Sequence, residues 1–206
     1  APGGGSAVLS VKPRPHSGEN INATLIVREL ASGAARVLSD RRGFGSGGAV
    51  SPDGRSVASV ASRGAEIGFH PGTILVTPLA GGPSVDVTAG VDRNVGNPRW
   101  LPGGRSLLVT GPDLTRLRAW VQPLGGAARR LDWGAVDPSD LHVNEAGAVT
   151  FIGREPNRPA EVFVAASVDV APRRLTDFNA EVAGLRTGRI EPTPWQGPDG
   201  FTPNGG

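Results

Sequence analysis

Three polar groupings in this sequence have residue types that could do chemistry. Asp140, His142 and Glu145, within DPSDLHVNEAG, are the densest set of potential metal ligands or acid–base groups. In an extended segment side chains alternate faces, so Asp140 and His142 would share one. Their spacing matches no strong metal motif, and a polar turn between strands accounts for the same residues. The second grouping is the serines. A hydrolase nucleophile sits on a sharp strand-to-helix turn written G-x-S-x-G. Ser46 has Phe44 where the first glycine belongs, Ser84 in Gly82-Pro83-Ser84-Val85-Asp86 lacks the last, and Ser6 and Ser51 fit no better. The third is Gly43-Phe44-Gly45-Ser46-Gly47-Gly48, which satisfies G-x-G-x-x-G. That pattern binds a dinucleotide only between a strand and a helix, whose N-terminus meets the pyrophosphate. Here a strand and a Pro-Asp-Gly turn follow, so a loop is expected. His16 and His70 stand alone among turn residues and read as surface histidines. Asn22-Ala23-Thr24 is an N-glycosylation acceptor, meaningful only in a secreted eukaryotic setting. No catalytic, cofactor-binding or metal residue is assigned, no cofactor is expected, and substrate-binding residues stay open.

The elements that would position such groups are short strands joined by tight turns. The 206 residues include 31 Gly and 19 Pro but only 5% aromatics, a balance that favours many turns over long helices. In Ser51-Pro52-Asp53-Gly54-Arg55, proline fixes φ at the first corner, Asp53 can accept a backbone hydrogen bond, and glycine takes the left-handed position. Leu101-Pro102-Gly103-Gly104 repeats the layout, and Gly147 in HVNEAGAVTFIG marks a third copy. After each turn come strand-like runs, TILVTPL (73–79), RAWVQPL (118–124) and AEVFVAA (160–166), with TLIVREL (24–30) ahead of them. A further marker follows each run: ARVLSD, SVDVTAG, ARRLDW and PRRLTD. Markers recurring in order every 40–50 residues or so, with about four strands per unit, are the signature of propeller blades. The fold expected is all-β, a partial β-propeller of about four blades. Residues 7–40 give an incomplete blade, and roughly 46–90, 97–133 and 139–177 give fuller ones. Strands are expected at about 55–61, 73–79, 106–111, 118–124, 149–153 and 160–166, with almost no helix. Trp100, just before a turn, is expected to pack between adjacent blades. The recurring turn is architecture rather than chemistry.

Charge and composition narrow the partners. The isoelectric point is near 10.3, yet the net charge is only +2. Tyrosine and cysteine are absent and Lys12 is the only lysine, so a small arginine surplus moves the isoelectric point far. The pairs Arg41-Arg42, Arg129-Arg130 and Arg173-Arg174 are dispersed and lack interleaved aromatics, unlike a nucleic-acid stripe. No apolar run reaches the roughly 18 residues of a membrane helix. Neither nucleic acid nor membrane is expected as a partner. Without cysteine there are no disulfides or thiolate metal sites, and the compartment stays open between cytoplasm and periplasm or exterior. Methionine is also absent, so a processed or truncated piece of a longer protein is expected, in which a signal peptide would not be visible.

The last third carries a resemblance. In residues 151–201, Pro159, Glu161 and Phe163 are followed by Arg174-Leu175-Thr176 and Asn179. Arg189-Ile190-Glu191, Trp195 and Asp199-Gly200-Phe201 come next. This succession resembles the hinge of the prolyl oligopeptidase family of serine peptidases, which includes dipeptidyl- and acylaminoacyl-peptidases. There the last propeller blade ends in such residues and the chain crosses into an α/β-hydrolase domain. The resemblance implies blades over 1–184 and, over 185–206, a linker and the truncated start of the hydrolase domain. It implies a propeller that caps the active site, restricts access by large folded substrates and leaves the chemistry to the Ser-His-Asp groups of the other domain. No position here matches those groups, so the parent protein is expected to be a peptidase acting on peptides while this chain alone is inactive. A TolB-type propeller that binds protein or glycan is the alternative. It explains the blades equally well but not the exit RIEPTPWQGPDGF. Family propellers close with about seven or eight blades, so four at most would leave open ends and invite self-association.

Overall fold

The computed structural model describes residues 3–16, 19, 22–39, 48–63, 70–178, 180–185, 188 and 195–200. Strands dominate them. The chain divides into two compact units, Ala1–Val109 with Trp120–Arg129, and Thr110–Ala119 with Arg130–Gly206.

Four sheets follow one another along the chain, each with its strands in sequence order. The first holds β1 (Ser6–Val11), β2 (Thr24–Glu29) and β3 (Ala35–Ser39). The second holds β4 (Ala49–Val50), β5 (Ser56–Ser62), β6 (Gly72–Pro78) and β7 (Val85–Asp86). The third holds β8 (Gly96–Trp100), β9 (Ser106–Asp113), β10 (Arg116–Pro123) and β11 (Arg129–Arg130). The fourth holds β12 (Asp137–Val143), β13 (Val149–Arg154), β14 (Glu161–Ala165) and β15 (Arg173–Arg174). Neighbours pair antiparallel, as in the unbroken register Ser56↔Pro78 to Ser62↔Gly72. The one helix among the described residues is the single turn α1 (Ala180–Ala183). The six strands expected from sequence each lie within two residues of an observed one.

The recurring turn closes as its residues dictate. Ser51 N–H donates to Ser56 O at 2.8 Å, and Gly54 N–H to Ser51 O at 2.9 Å, with Gly54 at φ 70°. The Ser51 hydroxyl donates to Asp53 Oδ1 at 2.6 Å, and Asp53 Oδ1 also accepts from Arg55 N–H at 3.0 Å. These two bonds, the hydroxyl first, hold the Asp53 carboxyl below the usual aspartate range. At Leu101 only the main-chain bonds remain: Leu101 N–H to Ser106 O at 3.0 Å and Gly104 N–H to Leu101 O at 3.1 Å. At Asn144 the ring is one residue shorter, Asn144 N–H to Ala148 O at 3.0 Å, and the Asn144 side chain accepts from Ala148 N–H at 2.8 Å.

A second bond recurs beyond the short fourth strands. Val87 N–H donates to Ile74 O (3.0 Å), Leu131 N–H to Ala119 O (2.9 Å) and Leu175 N–H to Val162 O (2.7 Å). It extends pairing past strands of only two residues, which fixes the last strand where few ladder bonds are available.

In the first unit β5 is covered on both faces. Val57 packs with Leu25, Val27, Leu38 and Leu79, while Ala58 packs with Ile74, Trp100, Leu107, Val109 and Trp120. Trp100 does what its position promised: its ring lies in that cluster, and its indole N–H donates to Ala49 O of the neighbouring sheet at 2.7 Å. In the second unit β13 alternates buried and exposed along its length. Its inner face carries a stack of rings, Trp133 on Phe151 at 4.9 Å and Phe151 on Phe163 at 5.6 Å. Gly153 leaves the room this stack needs, since a Cβ there would lie 2.5 Å from Phe163 Cδ2 and 2.6 Å from Val136 Cγ1.

Candidate functional site

In a four-stranded antiparallel sheet the first and third connections lie at one end and the second at the other. The tight turns occupy the first end: Leu79 N–H bonds Arg55 O at 2.7 Å, and Leu124 N–H bonds Arg105 O at 3.0 Å. The opposite end holds further sets of charged and hydroxyl side chains that join residues distant in sequence.

In the first unit, Arg63 closes β5 and donates to Thr88 O at 2.8 Å, with its Nε 3.8 Å from Asp86 Oδ2. The fully buried Thr73 and Thr88 hydroxyls lie 2.8 Å apart, and Thr88 Oγ1 accepts from Ile74 N–H at 2.8 Å. Asp86 accepts from the Thr73 hydroxyl and from Thr88 N–H. Every member has a structural partner, so this set stiffens the sheet end and offers little to a ligand.

The second unit gathers a larger set. Arg116 donates through Nε to both oxygens of Asp137, at 2.8 and 3.1 Å, and through a terminal nitrogen to Ala135 O. Arg118 reaches Gly134 O at 3.2 Å and Val136 O at 3.4 Å, and lies 3.6 Å from Asp137 Oδ1. Arg130 pairs with Asp113 at 3.0 Å. Burial first, then repulsion from Arg116, lowers the Arg118 pKa from its ordinary value. Three guanidiniums face two carboxylates, and the candidate site is this cluster. It holds no thiolate or imidazole, and it can bind an anion rather than perform acid–base catalysis.

At the same end of the fourth sheet Glu161 is buried, with 6% of its surface exposed. It accepts from the Thr176 hydroxyl and from Phe178 N–H at 3.2 Å, while Thr176 Oγ1 accepts from Val162 N–H at 2.9 Å. Glu161 and Thr176, both singled out in the hinge, thus form a clasp that directs the chain as it leaves β15.

The other residues singled out from sequence hold no site. Asp140 and His142 lie on β12 and Glu145 in the turn after it, all exposed. The register shifts between Ser139 and His142, with Asp140 at φ 48°, so the simple alternation that would align Asp140 with His142 is broken. No group of three potential metal ligands occurs among the described residues. Ser51 is buried and committed to its turn. Ser84 Oγ lies 2.7 Å from Thr77 Oγ1, and Ser6 opens β1. His16 and His70 are exposed. Asn22 donates to Glu19 at 2.8 Å. Ser46 and the run 43–47, Asn179, Arg189-Ile190-Glu191 and Phe201 lie outside the described residues. The Arg116–Asp137 cluster escaped the sequence reading because its members are 21 residues apart and form no motif; alternation of Arg116 and Arg118 on one strand face was the available signal.

Neither a protein-family model nor a curated protein matches the chain. Solved structures do. Pyrococcus horikoshii acylaminoacyl peptidase superimposes with a TM-score of 0.68 at 18% identity, over 94% of this chain and 29% of that one. The β-propeller domain of the Trilobed protease from Pyrococcus furiosus gives 0.60 at 16%, over 84% and 52%. The fold is a partial β-propeller. TolB from Acinetobacter baumannii shares it, with a TM-score of 0.64 at 17% identity, over 89% of this chain and 43% of that one. The chain therefore spans less than two thirds of each of these propeller proteins, and its four sheets are blades of the kind found in both the peptidases and TolB.

Proposed function

We propose that this chain is the non-catalytic propeller of a prolyl oligopeptidase-type serine peptidase, and that it caps and gates an active site carried by an adjoining hydrolase domain. The observation that carries this reading is the Glu161–Thr176–Phe178 clasp. It gives a structural purpose to the hinge residues whose order resembles that family, and it turns the chain out of the last blade at the end opposite the tight turns. A domain attached beyond the clasp would meet the blade end at which Asp137 opens β12 and Glu161 opens β14. The likeness to acylaminoacyl peptidase and to the Trilobed protease is compatible with this assignment at the level of fold. Gating works by exclusion: a cap that admits only extended chains selects substrate size while leaving acyl transfer to the other domain.

Reading the coding sequence for about 200 codons past residue 206, the size of one further domain, tests the proposal. A strand followed by G-x-S-x-G, with aspartate and histidine after it, is expected. A stop codon overturns it and favours a TolB-like binding propeller. In the joined protein, loosening the cap should raise cleavage of folded proteins and leave short peptide p-nitroanilides nearly unaffected.

A further inference from the structure

We propose that the cluster of Arg116, Arg118 and Arg130 binds a single carboxylate of a peptide, either its free C-terminus or an Asp or Glu side chain. The peptide class rests on the peptidase reading above; the carboxylate site rests on the cluster itself. Arg118 feels Arg116 and Arg130 as like charges and Asp137 and Asp113 as opposite ones, so the five groups form one electrostatic neighbourhood with a surplus of one positive charge. The internal pairs leave donors over. Asp137 engages Arg116 through Nε, and Asp113 engages Arg130 through Nε, so the outer nitrogens of Arg130 and the second terminal nitrogen of Arg116 remain for a ligand. Arg118 Nε is buried with no hydrogen-bond partner. Water reaches the set in a graded way, with side-chain exposures of 53% at Arg130, 28% at Arg116 and 16% at Arg118. A ligand would thus enter past Arg130 toward a progressively drier interior, where a charge-assisted bond gains strength.

The charge balance selects the ligand. A guanidinium fork matches the two oxygens of a carboxylate in one plane. A polyanion such as nucleic acid would bring several charges against Asp113 and Asp137, which disfavours it. Position agrees with a role toward peptides. Asp137 begins β12 and pairs in register with Arg154 at the end of β13. That is the end of the fourth blade at which Glu161 opens β14 and the chain departs after Leu175.

The test is fluorescence anisotropy with this chain and three labelled tetra-alanine probes: a free acid, its C-terminal amide, and an amide with one internal alanine replaced by glutamate. At least one carboxylate probe should bind about tenfold more tightly than the neutral amide, the worth of one charge-assisted bond. Preference for the free acid assigns the C-terminus, and preference for the glutamate amide assigns the side chain. Arg130→Gln should weaken binding about tenfold. Arg105→Gln, the same change in charge at the opposite end of the third blade, should leave it unchanged. Asp113→Asn should tighten it, an effect that mere structural damage would not produce. Equal binding of the neutral amide, or equal loss from Arg105→Gln and Arg130→Gln, would overturn the proposal. Since binding is read on the chain itself, a stop codon after residue 206 would end the peptidase reading without touching this result, and failure of the probes would leave the coding-sequence test standing.

Discussion

Replacing Trp100 with phenylalanine tests whether adjacent blades are joined by a specific bond or only by apolar contact. The ring is 8% exposed and lies among Ala58, Ile74, Leu107 and Val109. Phenylalanine keeps an aromatic ring there but removes about 40 Å² of buried surface, roughly 1 kcal/mol at 25 cal/mol per Å². It also deletes the indole N–H that donates to Ala49 O at 2.7 Å. Losing that bond and leaving the carbonyl with one partner fewer costs about 1–2 kcal/mol more. The expected total is about 2–3 kcal/mol, read from urea unfolding followed by far-ultraviolet circular dichroism. Trp195→Phe is the control, because Trp195 is 53% exposed and its replacement should change stability by less than about 0.5 kcal/mol. If Trp100→Phe costs no more than this control, the bond between the blades contributes nothing and the account of the first unit's core is wrong.

Gly153→Ala should destabilise by about 1–3 kcal/mol, because its Cβ would lie within 2.6 Å of Val136 and Phe163 and a packed core resists insertion; a thermal melt unchanged from wild type would refute this. Asp53 titrates below its usual value of 3.8 in the folded chain. Its contribution is therefore fully present above pH 4 or so and fades as the pH falls through the folded pKa. Urea midpoints measured between about pH 2 and 6 should show a shallower acid loss for Asp53→Asn than for wild type, and parallel curves would exclude the carboxylate. The chain alone should leave peptide p-nitroanilides intact and take no fluorophosphonate label, since Ser51 and Ser84 are held in turns and pairs without a histidine base; stoichiometric labelling at any serine would reveal an unrecognised nucleophile.

The strands were legible in the sequence because turn chemistry is local. Gly54, Gly104 and Gly147 each adopt positive φ, and each marks its turn by residue type alone. Trp100 was legible as a large ring beside a turn in a chain otherwise poor in aromatics. The short fourth strands β7, β11 and β15 fall within the recurring markers SVDVTAG, ARRLDW and PRRLTD, but their bounds were not legible, since two residues carry no periodicity and are fixed by the main-chain bonds beyond them. The shared face of Asp140 and His142 held only for unbroken alternation, which the register shift between Ser139 and His142 interrupts. Glu161 and Thr176 were visible as markers, but their bond was not, since it joins residues 15 apart. The arginine cluster was hidden for the same reason: its chemistry exists only once a strand and a distant connecting segment are brought together.

The hydrogen-bonded ring of the recurring turn has a consequence for how such chains diverge. Ser51-Pro52-Asp53-Gly54 and Leu101-Pro102-Gly103-Gly104 close the same main-chain ring, though only the first adds side-chain bonds to it. The bond that tethers each fourth strand is likewise made between peptide groups, and no substitution short of proline can delete a peptide N–H. Blade geometry is thus stored in a glycine and a spacing rather than in the identity of the other residues. The other letters are free to vary while the shape persists, and the same shape occurs at 18% identity and a TM-score of 0.68 in Pyrococcus horikoshii acylaminoacyl peptidase. A shared blade is therefore better sought in the interval between left-handed glycines than in matched residues.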